Sequence, residues 1–254
     1  MTSLAFEELR MKGWTVLRNC SDSGDIEELV KVTRKRYHNE LHQTGDHFSK
    51  TDLESWTAGE APLSLRLSSR CLKLCLSPSL QEFLKSYYQQ FESNVELFLH
   101  LAPALRVVSS GDRGALVSPH NDYFYNRHLS RAVGNAVPFL TCWFGLTGSS
   151  RTHGGLRVWD SDRNRRPWGV LGDNESSSML NFLSERKSHV VEWETGDVVV
   201  FEPWLIHGSV GHDSPSPRIS LDARYFSRGT TSSRHYLRLA DGAHFEPLTG
   251  PNAP

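Results

Sequence analysis

The sequence predicts a mainly β fold with flanking helices, a jelly roll or related barrel with a helical layer packed outside it. Three observations predict this. Apolar residues recur at helical spacing through the N-terminal third, and the period changes to two after Ser93. From there short alternating stretches follow one another as far as Phe226.

The first helix is expected from Asp25-Ile26-Glu27-Glu28, a fit to a capping box, and from Ile26, Leu29, Val30, Thr33, Tyr37 and Leu41 at helical spacing. A second is expected to start near Ser79, with Glu82 three residues on and an apolar stripe of Leu80, Phe83, Leu84, Tyr87 and Phe91. Between them His42 to Pro62 is polar and broken by Gly45, Gly59 and Pro62, which predicts a surface loop. Val95, Leu97, Leu99 and Leu101 alternate with Glu96, Phe98 and His100, the pattern of a strand with one buried face. Further strands are expected over 106–109, 137–146, 156–159, 189–193, 198–201 and 218–226, with a tight turn at Glu194-Thr195-Gly196-Asp197. The expected organisation is one domain over 1–254: a helical layer about 1–92, a jelly-roll core about 93–228 and an extension over 229–254, frayed from Thr249.

Composition narrows the function classes. The 254 residues carry 28 Lys+Arg against 29 Asp+Glu, a formal net charge of -1. That balance argues against nucleic acid or an anionic membrane as the main partner. The opening stretch has no apolar leader core, and no run approaches a membrane span, so a cytoplasmic protein is expected. Cys20, Cys71, Cys75 and Cys142 have no framework spacing and read as reduced core thiols.

Among 12 histidines, two stretches stand out. One is Pro119-His120-Asn121-Asp122; the other ends at His207 in a His-Gly-Ser. Two imidazoles and a carboxylate can cap one face of an octahedral Fe(II) and leave three positions open. On extended backbone, residues two apart share a face, so His120 and Asp122 can converge on one ion. His38-Asn39-Glu40 has the same spacing but lies in or just past the first helix, where residues two apart point to different sides. Downstream, Ile219, Leu221, Ala223 and Tyr225 alternate with Arg218, Ser220, Asp222 and Arg224. Arg218 and Ser220 therefore leave the strand on one face, where a guanidinium and a hydroxyl can jointly hold a carboxylate.

On these residues the chain resembles the phytanoyl-CoA dioxygenase-like branch of the Fe(II)/2-oxoglutarate-dependent oxygenases. The likeness runs from Phe6-Glu7-Glu8 and Gly13-Trp14-Thr15-Val16-Leu17-Arg18 to the strand of Arg218. It implies a double-stranded β-helix (cupin-like) core, Fe(II) held by His120, Asp122 and His207, and 2-oxoglutarate and O₂ as cosubstrates. Arg218, eleven residues past His207, stands where the family binds the far carboxylate of 2-oxoglutarate, with Ser209 and Ser220 beside it. Thr141-Cys142-Trp143-Phe144-Gly145-Leu146 and Gly154-Gly155-Leu156-Arg157-Val158 look like the family's hairpin, with Trp143 lining the cosubstrate pocket. Two places depart from the pattern: Trp159-Asp160-Ser161-Asp162 replaces the family's Pro-Gly-Ser-His, and 162–188 is idiosyncratic. Substrate identity is therefore not carried over. The presence of Asp122 implies hydroxylation, desaturation or rearrangement in preference to halogenation. Tyr123 to His128 is expected near the pocket mouth, and the cationic, aromatic run Asp162 to Trp168 would suit an anionic or polar small molecule. Two other readings stay open here: a cupin-type metalloenzyme that does not use 2-oxoglutarate, and a jelly-roll binding module without catalysis.

Overall fold

The computed structural model describes residues 2–44, 70–101, 103–112, 116–125, 129–131, 138–160, 183–184, 186–228, 230–232 and 235–245. Most of the expected loop at 42–62, the run 162–168, the residues 126–128 and the tail from 249 lie outside them.

Helices form where the apolar stripes stand, but their caps differ from expectation. Helix α1 (Thr2–Lys12) leads directly into strand β1 (Trp14–Leu17). Helix α2 (Ser23–Thr44) begins two residues before Asp25, and its cap is Asp22, whose carboxylate accepts the amide of Asp25 at 3.1 Å. His38 and Glu40 both lie on this helix. Helix α3 (Pro78–Tyr88) starts on a proline, whose missing N–H costs nothing in the first turn. Its preceding Ser77 gives no side-chain cap and instead donates to the carbonyl of Cys20 at 2.6 Å, tying two segments together.

The main sheet has strand order β1-β8-β5-β10-β2-β12-β13. Here β2 is Leu97–His100, β5 Leu140–Gly145, β8 Val198–Phe201, β10 Arg218–Ser227, β12 Tyr236–Arg238 and β13 His244–Phe245. Strand β3 (Ala104–Val108) also pairs with β10. A smaller sheet, β7-β6-β9, is built from Ser188–Val190, Gly155–Trp159 and His207–Val210, and β4 (Leu129–Arg131) pairs with β11 (Thr230–Ser232). Strands β1, β4, β9, β11, β12 and β13 were not read from the sequence.

Period-two alternation sends the main sheet's residues to two different interiors. Leu140, Cys142, Phe144, Val198, Val200, Ile219, Leu221, Ala223 and Tyr225 pack in one cluster with Leu9, Ile26, Leu29, Leu80, Phe83 and Leu84 of the helices. Each fully buried Leu or Phe there contributes roughly 2 kcal/mol. The opposite residues, Trp143, Val199 and Phe201, join Leu156 and Val158 of the smaller sheet, with Val191 and Trp193. All four cysteines are buried and free. Strands β5 and β6 do not form the expected hairpin: β5 pairs with β8 and β10, while β6 pairs with β7 and β9. The intervening turn, with helix α5 (Ser150–His153) in it, carries the chain from one sheet to the other.

Candidate metal centre

The smaller sheet brings the two histidines together. His120 and His207 form an isolated antiparallel bridge, each amide donating to the other's carbonyl at 2.9 Å. Ser209 donates in the same way to Val117 at 2.8 Å, so 117–120 runs as an edge beside β9. Gly208 permits this approach: a Cβ there would lie 3.2 Å from the nitrogen of Pro119. The imidazole centroids are then 4.3 Å apart.

The expectation for Asp122 needs correction. It does not share an extended strand with His120. The chain turns after the bridge, and Asp122 is the first residue of a short helix, α4 (Asp122–Tyr125), whose Tyr123 amide donates to Pro203 at 2.9 Å. The carboxylate converges on the imidazoles nonetheless. Its Oδ1 lies 3.6 Å from Nε2 of His120 and 3.9 Å from Nε2 of His207, too far for good hydrogen bonds and suited to three donors around one ion. Among the described residues, these three alone form a cluster able to hold a metal.

The tautomers fit that use. Nδ1 of His120 lies 2.8 Å from the carbonyl of Ser118, and Nδ1 of His207 lies 3.0 Å from that of Leu205. A carbonyl only accepts, so each Nδ1 carries the proton and each Nε2 presents its lone pair to the cluster. Burial, then the neighbouring His120, pushes His207 down to about 4, so it is neutral at neutral pH. Burial opposes ionisation of Asp122, but the guanidinium of Arg224 together with His120 and His207 outweighs it and holds the carboxyl well below the usual carboxylate range. Two imidazoles and one carboxylate in a pocket of this kind are a donor set for Fe(II).

The triad lies on a cleft that is also lined by Arg106, Val117, Trp143, Leu156, Ser209, Arg218, Ser220, Asp222 and Arg224. The seven residues assigned to the iron and its cosubstrate from the sequence, His120, Asp122, Trp143, His207, Ser209, Arg218 and Ser220, therefore lie on one cavity. Arg218 is anchored through one terminal nitrogen to the carbonyls of His153 (3.1 Å) and Val210 (2.7 Å), while its buried Nε has no hydrogen-bond partner. Burial pulls Arg218 down to about 10, which leaves it protonated at neutral pH.

Three polar residues of the cleft, and Thr141 behind Asp122, were missed as site residues. Asp222 and Arg224 continue the face of Arg218 and Ser220 by the same period of two, a signal present in the sequence and followed only as far as Ser220. Arg106, paired with Asp222 at 3.0 Å, and Thr141, bonded to Asp122 at 2.5 Å, carry no sequence signal, because cross-strand register places them.

The profile of the phytanoyl-CoA dioxygenase (PhyH) family matches residues 10–220. The chain belongs to that family. As a PhyH protein it is a non-haem Fe(II)/2-oxoglutarate-dependent dioxygenase, with O₂ as the second cosubstrate. No curated protein matches it in sequence. Its fold is similar to that of several solved enzymes. One is the 2-oxoglutarate-dependent epimerase SnoN of nogalamycin biosynthesis, in complex with Fe³⁺, 2-oxoglutarate and nogalamycin RO (16% identity, 98% of this chain and 96% of that chain, TM-score 0.62). The non-haem monooxygenase ThoJ in its nickel complex shares 15% identity over 98% of this chain and 89% of its own (TM-score 0.60). EctD from S. alaskensis, in its apo form, shares 16% identity over 92% of this chain and 80% of its own (TM-score 0.58). The PhyH fold is thus the jelly-roll architecture read from the sequence. Among the described residues, no helix is long and apolar enough to cross a membrane.

Proposed function

We propose that this PhyH enzyme hydroxylates, or desaturates or rearranges, an unactivated C–H bond of a small polar metabolite or natural-product intermediate. His120, Asp122 and His207 hold Fe(II). Arg218, helped by the hydroxyls of Ser209 and Ser220, holds the far carboxylate of 2-oxoglutarate, and Trp143 walls the cosubstrate. The observation that carries this assignment is the buried, unpartnered Nε of Arg218 on the same cavity as the three convergent donors. An arginine fork needs an anion to satisfy it, and a buried polar group without one costs about 1–3 kcal/mol.

Bound iron with 2-oxoglutarate and O₂ supplies oxidative decarboxylation, giving succinate, CO₂ and an oxidant for C–H bonds. The chain positions and encloses that chemistry. Backbone carbonyls fix the two histidine tautomers, the carbonyls of His153 and Val210 aim Arg218, and Trp143, Val117 and Leu156 make the apolar part of the wall.

The test is an anaerobic titration. Fe(II) and then 2-oxoglutarate are added to the purified protein while the weak visible charge-transfer band is followed. The band is expected in the parent and absent in both His207→Ala and Arg218→Ala. Tight iron binding with no response to 2-oxoglutarate overturns the cosubstrate assignment and returns the cupin-type alternative.

A further inference from the structure

Asp122 is held from behind. Its Oδ1 faces the two imidazoles, while its Oδ2 accepts the hydroxyl of Thr141 at 2.5 Å, and a terminal nitrogen of Arg224 lies 3.3 Å from Oδ2 and 3.4 Å from Oδ1. The two holders come from adjacent strands and are directly opposed in register, Arg224 of β10 against Thr141 of β5. Thr141 is fully buried and the Arg224 side chain only 13% exposed, so water does not compete strongly for either contact. Thr141 bonds Oδ2 alone and Arg224 braces the whole carboxylate, so Oδ1 is the oxygen turned toward the cluster.

We propose that Arg224, with Thr141, is a positioning residue for the iron site: the pair keeps Oδ2 of Asp122 out of the coordination sphere, so the carboxylate serves as a one-oxygen ligand. The consequence is a count of positions. A carboxylate binding through both oxygens would fill one of the three positions that 2-oxoglutarate and O₂ require, whereas a one-oxygen ligand leaves all three. This inference rests on the iron-site assignment above and adds a function for two residues outside the triad.

The sign of the effect separates positioning from mere charge. Arg224 is a cation beside a site for a dication, so a bystander would repel iron, and its removal would tighten Fe(II) binding. A positioning role predicts the opposite, since partners that orient a metal ligand are worth about 10–100-fold in affinity when lost. Fe(II) affinity is measured anaerobically by competition with a chelator, and the 2-oxoglutarate charge-transfer band is recorded on the same samples. Arg224→Met is expected to weaken Fe(II) by about tenfold or more and to diminish the band. Arg224→Lys, which keeps a donor and the charge, recovers part of the loss, and Thr141→Val shows a smaller loss of the same sign. Circular dichroism checks folding; if Arg224→Met does not fold, Thr141→Val and Arg224→Lys decide. Affinity equal to or tighter than the parent's in the folded variants, with an unchanged band, overturns the proposal. A parent that binds no Fe(II) instead overturns the iron-site assignment itself.

Discussion

At the scale of single residues, the site depends on charges and protons fixed before any ligand arrives. Asp122 is the joint between the metal donors and the buried cation of Arg224, so its removal has two effects. Asp122→Ala is expected to abolish Fe(II)-dependent consumption of 2-oxoglutarate. It is also expected to destabilise the apo protein by roughly 3 kcal/mol, because Arg224 then stays buried without its counter-charge. Chemical denaturation of the metal-free protein measures the second effect separately from activity. His153 gives a pH prediction. Its Nε2 lies within 3.0 Å of Ser216 and 3.1 Å of Ser214, its Nδ1 within 2.8 Å of Thr152, and its carbonyl holds Arg218. Burial, then the neighbouring His212 and Arg218, lower its pKa below the ordinary 6.5. The unfolded chain therefore takes up the proton first. The stability that the neutral ring contributes is full above pH 6.5 and is lost as pH falls from there through the lowered folded value. Melting temperatures between pH 8 and 5 should fall less steeply for His153→Gln than for the parent.

At the scale of elements, the turn between β5 and β6 decides whether two sheets face each other at the right spacing. Trp193 is wedged there, fully buried, with its indole N–H donating to the carbonyl of Gly154 at 2.8 Å. Gly145 and Gly155 lie directly against it: a Cβ at either would come 2.2 Å from the indole. At Gly155 the φ of +129° adds a backbone reason for glycine. Gly145→Ala is accordingly expected to cost about 1–3 kcal/mol through overpacking, read as a lower denaturation midpoint in urea. It should also disturb Trp143, whose ring meets Trp193 edge-on at 5.0 Å, and so weaken 2-oxoglutarate binding more than a surface substitution of equal size.

At the scale of the whole molecule, the N-terminal segment is part of the sheet that carries the site. Strand β1 pairs with β8 in full register, and the buried Asp197 at the head of β8 accepts from Arg18 at 2.6 Å and from the amides of Asn19 and Glu194 at 3.0 and 2.9 Å. Because Arg18 is about half exposed, its ion pair is discounted for solvent, and most of the value lies in the two amide bonds. Asp197→Ala is expected to lower stability by about 2 kcal/mol, measured by denaturant unfolding.

The legibility of this chain follows the range of the physics involved. Alternation and short apolar runs are local, so the strands at 218–226 and 198–201 and the two faces of Arg218 and Ile219 could be read residue by residue. Helical stripes were equally readable, but the helix starts were not: Asp22 caps α2 through a local bond to the amide of Asp25, whereas Ser77 turns its hydroxyl away to Cys20, distant in sequence. His120, Asp122, His207 and Arg218 were identified by residue type and spacing, together with the family pattern they resemble. The route by which Asp122 reaches the histidines was misjudged, because a turn into α4 and not a strand brings it there. By itself, then, the sequence determined which donors are available, which face each strand residue takes and to which family the chain belongs. Tertiary structure alone decided that Thr141 and Arg224 meet behind Asp122 and that Arg106 neutralises Asp222. Those contacts join residues 83 and 116 positions apart, from 141 to 224 and from 106 to 222, and only the pairing register of β10 with its neighbours brings them together.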